Sequence, residues 1–500
     1  MYDSHTHTTH SHDGRSTIDE MCLSAIKKGL RGIAITKKTA CICETLIMYK
    51  TNFKNGNIYR NILELALPMT VGQLLNLLYN IVDRIYIGRI EGVGDIAFAG
   101  VGICFPIITL ITAFTFLFGN GGAPLCSMAQ GKGDKNEAEY IMGNTFSMLL
   151  ITGVLLTVLG YIFHRPLLYL LGASDVTYQY ASKYLLIYLV GTLSVMITLG
   201  LNPFINAQGF GNMGMITILI GAVLNILLDP LFIFALNMGV SGAAFATVIS
   251  QTVSALWVFK FLTGKKAVLK LRLSAMKIQF SRVKKIMSLG VSGFVMAFSN
   301  SLVQMVCNAV LKGYGDIYIS IMTVINSVRE IVTMPIMGLT HGASPVMSYN
   351  YGAGEYKRVK DSIKFITLLC VVYTCFMWAV VSVFPEFFIR IFNDNDQLVK
   401  MCSSAMHIYF FGFCFMSFQF TGQSVFVALG KSAKATFFSI FRKVFIVVPL
   451  TLLLPHLFSL GVNGVFWAEP LSNFIGGVAC FVTMYLTVMS ELNKKSTILK

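Results

Sequence analysis

Apolar runs of twenty or more residues recur along most of this chain, and this feature restricts its fold more than any other. Of the 500 residues, 55% are hydrophobic and only 12% are charged. A run of about twenty apolar residues is long enough to cross the hydrocarbon core of a bilayer as a helix. In lipid, every backbone polar group has to be satisfied within the segment, which a helix achieves. The sequence therefore predicts an all-α polytopic membrane protein.

Twelve apolar segments can be counted, and we number them spans 1 to 12. They are predicted at about 63–88, 96–120, 140–163, 180–205, 213–236, 240–262, 286–311, 317–340, 361–388, 402–428, 435–458 and 462–488. The longest loop lies between spans 6 and 7 and divides the segments into two sets of six.

Composition divides the chain into five regions. They are a histidine-rich leader at 1–58, an N-terminal six-helix lobe at 59–263, a basic linker at 264–285, a C-terminal six-helix lobe at 286–490 and a tail at 491–500. The linker interleaves Lys and Arg with apolar residues such as Leu271, Leu273 and Phe280. This pattern is typical of an amphipathic segment that lies on the inner leaflet.

The formal net charge of +16 could indicate a nucleic-acid partner, but Lys and Arg lie mainly in the loops between the apolar segments. They are concentrated in alternate loops, for example Lys132 and Lys135 after span 2 and Lys357 and Arg358 after span 8. Basic loops of a membrane protein stay on the cytoplasmic side. We therefore expect no nucleic acid as a partner, a lipid bilayer as the surroundings, and both termini in the cytoplasm.

The two lobes contain an internal repeat, in which equivalent positions keep a constant difference in residue number that we call the repeat offset. The repeat offset carries Gly94-Asp95 onto Gly315-Asp316, Gly131 onto Gly352 and Tyr188 onto Tyr409. Because each half has six spans, the two copies have the same orientation in the membrane. They are expected to be related by an axis along the membrane normal, with a central cavity between them. We interpret the paired glycines as sites of close helix approach.

A carboxylate stands within span 5, in the sequence Asn225-Ile-Leu-Leu-Asp229-Pro230. An ionisable residue inside a membrane span is costly unless it has a partner or a function. Asn225 and Asp229 are four residues apart and share one helix face, where they offer oxygen atoms to a cation or a proton. Pro230 removes a backbone donor beside them. The alternative is a structural role, in which Asp229 caps a helix end or hydrogen-bonds to a neighbour.

The repeat shows where the two lobes differ. At the repeat offset, Asp83 of span 1 aligns with Gln304, and Asp229 aligns with Leu450. The paired acids therefore exist only in the N-terminal lobe, which predicts an ion-binding site there. For Asp83 the alternative is an ion pair with the adjacent Arg84.

The leader contains half of the histidines of the chain, among them His5 and His7. Its sequence from Asp3 to Thr36 resembles the opening strand and helix of the PHP-type metal-dependent phosphoesterases. In that family an equivalent His-x-His pair binds catalytic metals, which implies a vestigial metal site at His5 and His7. The second strand of the family ends in a Thr-Asp-His-like signature, whereas Thr36 is followed by Lys37. A barrel cannot close within roughly forty residues, so we predict a non-functional cytoplasmic fragment.

Several short motifs lie in the spans and loops of the N-terminal lobe. They are Leu67-Pro68 with Gln73 and Val82-Asp83 in span 1, Ala129-Gln-Gly-Lys-Gly-Asp134, Asn202-Pro203 with Ala207-Gln208-Gly209, and Asn225 with Asp229-Pro230. Together with the doubled six-helix layout they resemble the multidrug and toxic compound extrusion (MATE) transporters, in particular the DinF-type prokaryotic branch. The resemblance implies twelve transmembrane helices in two pseudo-symmetric lobes around a central cavity, a prokaryotic inner membrane, and no enzymatic activity.

The resemblance also implies which residues bind the coupling ion. In that branch an Asp of span 1, an Asn and an Asp of span 5 and a Thr of span 6 form the site. The matching residues are Asp83, Asn225, Asp229 and Thr247. The auxiliary candidates are Gln73, Tyr79 and Glu469, of which Glu469 aligns with Thr247 once the repeat offset is lengthened by one position. The coupling ion is Na⁺ or H⁺, and no other cofactor is expected.

Three functions are compatible with these features. The first is a monomeric secondary exporter of small organic, mostly cationic and amphipathic, drug-like compounds by antiport with Na⁺ or H⁺. The second is a flippase for lipid-linked precursors, for which a basic central cavity is expected; the cations inside the spans are few beyond Arg329, Arg442 and Lys443. The third is a membrane-tethered metal phosphoesterase. Because Gly131-Lys132-Gly133-Asp134 lacks the spacing of a phosphate-binding loop, we expect an ion gradient to supply the energy.

Overall fold

A computed structural model describes residues 2–3, 32–33, 49–90, 92–392, 395–457 and 460–498. The chain forms two compact units, Met1–Tyr49 and Lys50–Lys500. In the first unit, the short strands Tyr2–Asp3 and Gly32–Ile33 pair in parallel. The predicted metal residues His5 and His7 lie outside the described residues.

The second unit is built from long apolar helices. Eight spans are single helices: Ile58–Gly88, Gly94–Gly131, Lys135–Leu170, Gly211–Pro230, Val240–Thr263, Phe280–Lys312, Asp316–Gly352 and Tyr356–Val383. Spans 4 and 10 are bent pairs, Asp175–Val190 with Thr192–Ala207 at 56° and Asp396–Phe410 with Phe413–Ala428 at 45°. Spans 11 and 12 cover Ser432–His456 and Asn463–Thr497. Counting each bent pair once, the described residues form the twelve predicted spans.

Short elements join and interrupt these spans. A 3₁₀ turn, Leu273–Met276, lies in the linker, and a six-residue helix, Pro385–Arg390, follows span 9. Spans 11 and 12 contain π-helical turns at Phe441–Val447, Asn473–Gly477 and Tyr485–Met489. Large apolar side chains such as Leu256 and Phe376 are exposed on the spans. Such a surface suits a lipid environment, as expected for membrane helices.

The two lobes pack against each other along spans 1, 2, 7 and 8. Gly131 of span 2 lies against the backbone oxygen of Tyr349, and Gly352 of span 8 lies against the backbone oxygen of Met128. The repeat offset converts both members of one contact into the members of the other, so the two contacts are copies related by the repeat. A Cβ atom at either glycine would clash with the opposite backbone, which explains why the paired positions are glycines.

The linker is attached to the N-terminal lobe by hydrogen bonds as well as by apolar contacts. Asn144 of span 3 donates to Ala275 O and accepts from Gln279 N, and Glu139 forms an ion pair with Arg272 at 3.1 Å. Leu271 is buried, contrary to its predicted place on the leaflet surface. Leu273 and Phe280 are 85% and 81% exposed, as a membrane-facing side would require. Only part of the predicted amphipathic face is therefore free.

Two predicted boundaries differ from those of the structure. The composition assigns residues 50–58 to the leader, but Thr51 N donates to Gly209 O at 2.9 Å, and the side chain of Arg358 donates to Phe53 O. These residues belong to the helical unit. The predicted tail from 491 begins inside a helix, Ser490–Ile498, where Glu491 accepts from Lys495 at 2.8 Å.

Candidate functional site

Asn225, Asp229 and Thr247 meet inside the N-terminal lobe. Span 5 places Asn225 and Asp229 one helical turn apart, and both are almost completely buried. The Asn225 Nδ2 group donates to Asp229 Oδ1 at 3.2 Å and to Thr247 Oγ1 of span 6 at 3.3 Å. One amide therefore fixes a carboxylate and a hydroxyl from two different helices.

The backbone of span 5 changes directly after Asp229. The α-helix ends at Pro230 and continues as a π-helical turn, Leu231–Ala235. Proline has no N–H to donate, and π-turns inside helices are frequently found at functional sites. The carboxylate therefore lies where the helix is least regular.

Asp83 of span 1 joins this group. The residue is half-buried, and its carboxyl group lies within hydrogen-bonding range of the Asp229 carboxyl group. The adjacent Arg84 points elsewhere: its guanidinium lies over the Phe105 ring, 4.7 Å from the centroid. The predicted alternative of an Asp83–Arg84 ion pair is therefore not found.

The oxygen atoms of this site are short of donors. Oδ1 of Asp83, Oδ1 of Asn225 and Oδ2 of Asp229 are buried, and none accepts a hydrogen bond within the described part of the chain. Buried acceptors without donors are costly, and two adjacent carboxylates also repel each other. A monovalent cation or a proton would relieve both problems, and oxygen ligands suit both. These residues therefore fit the coupling ion that the sequence predicts.

Two tyrosines complete the surroundings of the carboxylates. Tyr79 is one turn before Asp83 on span 1 and close enough to interact with both acids. Tyr184 of span 4 is buried near Asp83 and stacks on Tyr188 at 6.1 Å between ring centroids. The sequence predicted Tyr79 but missed Tyr184, although the alignment of Tyr188 with Tyr409 drew attention to that part of span 4.

Gln73, the second auxiliary candidate, is not part of this group. It lies on span 1 ten residues before Asp83, which corresponds to about 15 Å along a helix. Side chains at that separation cannot bind one ion.

Glu469, the third auxiliary candidate, lies in the C-terminal lobe among cations. Its Oε1 atom is 3.1 Å from Arg442 Nη1, 3.2 Å from Lys443 Nζ and 3.5 Å from Arg329 Nη1. We call these four residues the basic cluster. A carboxylate with three cationic partners has no need of a coupling ion, so the structure separates Glu469 from the predicted ion site.

A cavity of about 150 Å³ lies between the lobes. Both lobes contribute flexible or aromatic side chains to its wall, among them Met69, Met296, Met337 and Phe420. Methionine side chains adapt to ligands of different shape.

The described residues of the helical unit contain no cluster of metal ligands. Within the described residues, no group of three or more His, Cys, Asp or Glu side chains is arranged to hold a metal ion. The histidines of the leader lie outside those residues, so a metal site at His5 and His7 stays a prediction.

Family comparisons agree with the doubled architecture. The MatE family model matches residues 68–231 and 293–453, one copy in each lobe. The chain belongs to the MatE family, and it is a membrane transporter rather than an enzyme. Its assignment to the DinF-type branch stays a prediction. A PHP domain model matches residues 3–80, which extends the resemblance of the leader beyond Thr36 and into span 1.

Curated relatives and solved structures cover most of the chain. The multidrug export protein MepA of Staphylococcus haemolyticus (strain JCSC1435) is 26% identical over 434 residues, covering 87% of this chain and 94% of that protein. MepA of Staphylococcus aureus (strain MRSA252) is 24% identical over 435 residues, covering 87% and 95%. A multidrug resistance MATE transporter of the MOP superfamily, solved in an outward-facing conformation, has a TM-score of 0.83 at 22% identity. It covers 89% of this chain and 99% of its own, which establishes the fold.

A second solved structure concerns the polarity of the binding pocket. It is described as a MOP superfamily transporter from Pyrococcus furiosus in which the reverse polarity of the binding pocket suggests a different function. The fold is shared, with a TM-score of 0.82 at 22% identity over 90% of this chain and 98% of that one.

Proposed function

We propose that this protein exports small organic, mostly cationic and amphipathic, compounds in exchange for Na⁺ or H⁺. The observation that carries the proposal is the adjacent, donor-poor carboxyl pair of Asp83 and Asp229. The relatives named as multidrug export proteins support the drug-like substrate class. The methionine-rich cavity between the lobes supports it as well.

The inward movement of the coupling ion down its gradient supplies the energy for export. Each net positive charge that moves inward across a potential of 100 mV releases about 2.3 kcal/mol, enough for a tens-fold outward gradient of an uncharged substrate. For a monovalent cationic substrate the exchange must move more than one ion per substrate to use the potential; a one-for-one exchange uses only the concentration gradient of the ion. Binding of the ion at the carboxyl pair removes the repulsion between spans 1 and 5, which changes the packing that those spans prefer. The close contacts at Gly131 and Gly352 hold the lobes together at the end that carries the basic loops. Opening there and closing at the other end would give alternating access.

The proposed orientation of the protein in the membrane follows from the positive charge of its loops. Basic loops and both termini are proposed to face the cytoplasm of a prokaryotic cell, and the protein is proposed to act as a monomer in the inner membrane. In this arrangement the close contacts at Gly131 and Gly352 lie on the cytoplasmic side.

The test is efflux of a fluorescent cationic dye from cells that express the full chain, with the Na⁺ and proton gradients collapsed in turn. We expect the wild type to export dye, one ionophore to stop export, and Asp229→Asn to be inactive at a normal membrane level. Asp95→Asn makes the same change at an exposed position and serves as the control. Full export by Asp229→Asn would show that the carboxyl pair is structural.

A further inference from the structure

The basic cluster of the C-terminal lobe has more positive charge than its own carboxylate can balance. Arg442 and Lys443 are buried, with side-chain exposures of 7% and 4%, and Glu469 is 6% exposed. Arg329 is the most accessible of the three cations at 27%. Three cations against one carboxylate leave a formal excess of two positive charges, of which Glu330, next to Arg329 in the chain, offsets one. An unpaired charge inside a membrane protein is expensive.

The scaffold itself does not require these cations. At the repeat offset, Arg329, Arg442 and Lys443 align with Ile108, Gly221 and Ala222 of the N-terminal lobe. Those helices fold in the same architecture without any charge at the three positions. The cations are therefore an addition to the C-terminal lobe, which indicates a ligand for them.

A cavity gives such a ligand access to the cluster. It has a volume of about 430 Å³, and Arg84, Arg329, Arg442 and Lys443 line it together with a single carboxylate, Glu330. Amide side chains, including Asn300, Gln304 and Gln423, form much of the remaining polar wall. Met296, Met337, Phe420 and Gln423 line both this cavity and the one between the lobes, so the two share a wall.

Local backbone geometry brings two consecutive cations to one point. The π-helical turn Phe441–Val447 carries both Arg442 and Lys443, and both donate to Glu469 Oε1. In the described residues Arg329 forms no other ion pair, and it meets Glu469 only at 3.5 Å. Its guanidinium therefore keeps donors for a second acceptor, and guanidinium groups bind carboxylate and phosphate oxygens in a forked geometry.

We propose that this C-terminal cavity binds the anionic group, a carboxylate or a phosphate, of an amphiphilic organic molecule through Arg329, Arg442 and Lys443. The inference rests on the proposed transport function and extends its substrate class to molecules with an anionic group. Glu469 holds the cluster together, while the excess charge attracts the ligand. The apolar part of the molecule would lie toward the shared methionine and phenylalanine wall.

Equilibrium binding tests this site without any need for transport. The full chain is reconstituted in phosphatidylcholine nanodiscs and titrated by calorimetry with phenyl phosphate and with phenyltrimethylammonium, which has the opposite charge on the same ring. We expect phenyl phosphate to bind, and Arg329→Gln and Arg442→Gln each to weaken its binding by about 10- to 100-fold. Lys364→Gln removes one cation from an exposed position and should change nothing.

A second variant covers the case in which Arg442→Gln does not fold. Gln304→Glu adds a carboxylate to the cavity wall and leaves the basic cluster intact. It should weaken phenyl phosphate binding by about tenfold or more, through repulsion of the anion. Unchanged affinity in both Gln304→Glu and Arg329→Gln would overturn the proposal, as would a wild type that does not bind phenyl phosphate.

Two further arms identify the source of the anionic group. If phosphatidylglycerol in the nanodiscs competes with phenyl phosphate, the natural group belongs to a lipid headgroup. If only inorganic phosphate and soluble organic phosphates compete, it belongs to a soluble molecule. Either result supports the site. Dye efflux is measured separately, so a failure of ion-coupled export and a failure of anion binding are distinguishable.

Discussion

The two lobes share one architecture but carry opposite charges at corresponding places. In the N-terminal lobe, Asp83 and Asp229 lie side by side with oxygen atoms that lack donors. In the C-terminal lobe, the aligned residues are Gln304 and Leu450, and the buried carboxylate Glu469 is surrounded by three cations. The site in the N-terminal lobe has no cation to balance its carboxyl groups, whereas the site in the C-terminal lobe has more cations than carboxylates.

Because of this difference in charge, the acids of the two lobes contribute differently to the stability of the protein. The carboxyl pair is unsatisfied in the protein alone and gains from an added cation or proton. The Glu469 carboxylate is satisfied by the protein, and its removal would leave buried cations unpaired. Substitution of an acid should therefore have opposite consequences for folding in the two lobes.

The largest expected effect is that of Glu469→Gln. It leaves Arg329, Arg442 and Lys443 without a carboxylate, and breaking a buried pair from one side costs about 3–5 kcal/mol. We expect a strong drop in the melting temperature in detergent, with loss of the monodisperse peak in size-exclusion chromatography. The double variant Lys443→Met/Glu469→Gln removes one charge of each sign and should recover much of the stability. If Glu469→Gln alone were as stable as the wild type, the Glu469 carboxylate would not be needed to balance the cations of the cluster.

Asp229→Asn tests the other lobe and should change stability in the opposite direction. The repulsion between the two acids disappears, so we expect a gain of about 1 kcal/mol in unfolding free energy. Ion-driven dye uptake into everted vesicles should fall by about 100-fold or more. Added Na⁺ or acid should stabilise the wild type against heat but not this variant, because ligand stabilisation requires the binding site. If Asp229→Asn were less stable than the wild type, removal of an acid would not have opposite effects on stability in the two lobes.

Sequence patterns predicted the spans, the repeat and the acids of the N-terminal lobe, because each depends on local periodicity or on a fixed offset. They did not predict the basic cluster. Arg329 lies on span 8 and Arg442 on span 11, and only the packing of helices distant in the sequence brings them to Glu469. The repeat does contain a signal for it, since Tyr188 and Tyr409 are aligned. Tyr188 stacks on Tyr184, which lies near Asp83, and Tyr409 lines a cavity together with Arg329, Lys443 and Glu469.

The linker shows a second limit of sequence patterns. Its mixture of basic and apolar residues predicted a segment on the membrane surface. Asn144 and Glu139, however, provide hydrogen-bond partners for its backbone at Gln279 and Lys270. Polar residues at the start of span 3 could bind water, a headgroup or a backbone, and composition does not distinguish these partners.

The common scaffold of the lobes can be tested at the two symmetric glycines. Gly131→Ala and Gly352→Ala each place a methyl group against the backbone of the other lobe. We expect each to destabilise the closed contact by about 1–3 kcal/mol, because a close-packed backbone cannot move away without cost. The check is the labelling rate of single cysteines introduced beside each contact. An equal increase of the labelling rate in both variants would show that the two contacts are equally strong. An increase in only one variant would show that the contacts differ in strength although their backbones are symmetric.

The smallest expected effect concerns Thr247, which aligns with Glu469. Its hydroxyl oxygen accepts from Asn225 Nδ2 and so helps to orient the amide that holds Asp229. Thr247→Val keeps the shape of the side chain and removes this acceptor, and a net hydrogen bond contributes about 1 kcal/mol. We expect the dissociation constant of the coupling ion, measured by ion-dependent thermal stabilisation, to rise about fivefold, and Thr247→Ser to stay near the wild type. Because Glu469 serves to neutralise cations and Thr247 to orient the carboxylate site of the coupling ion, a change as large as that of Glu469→Gln would show that the aligned positions have the same role after all.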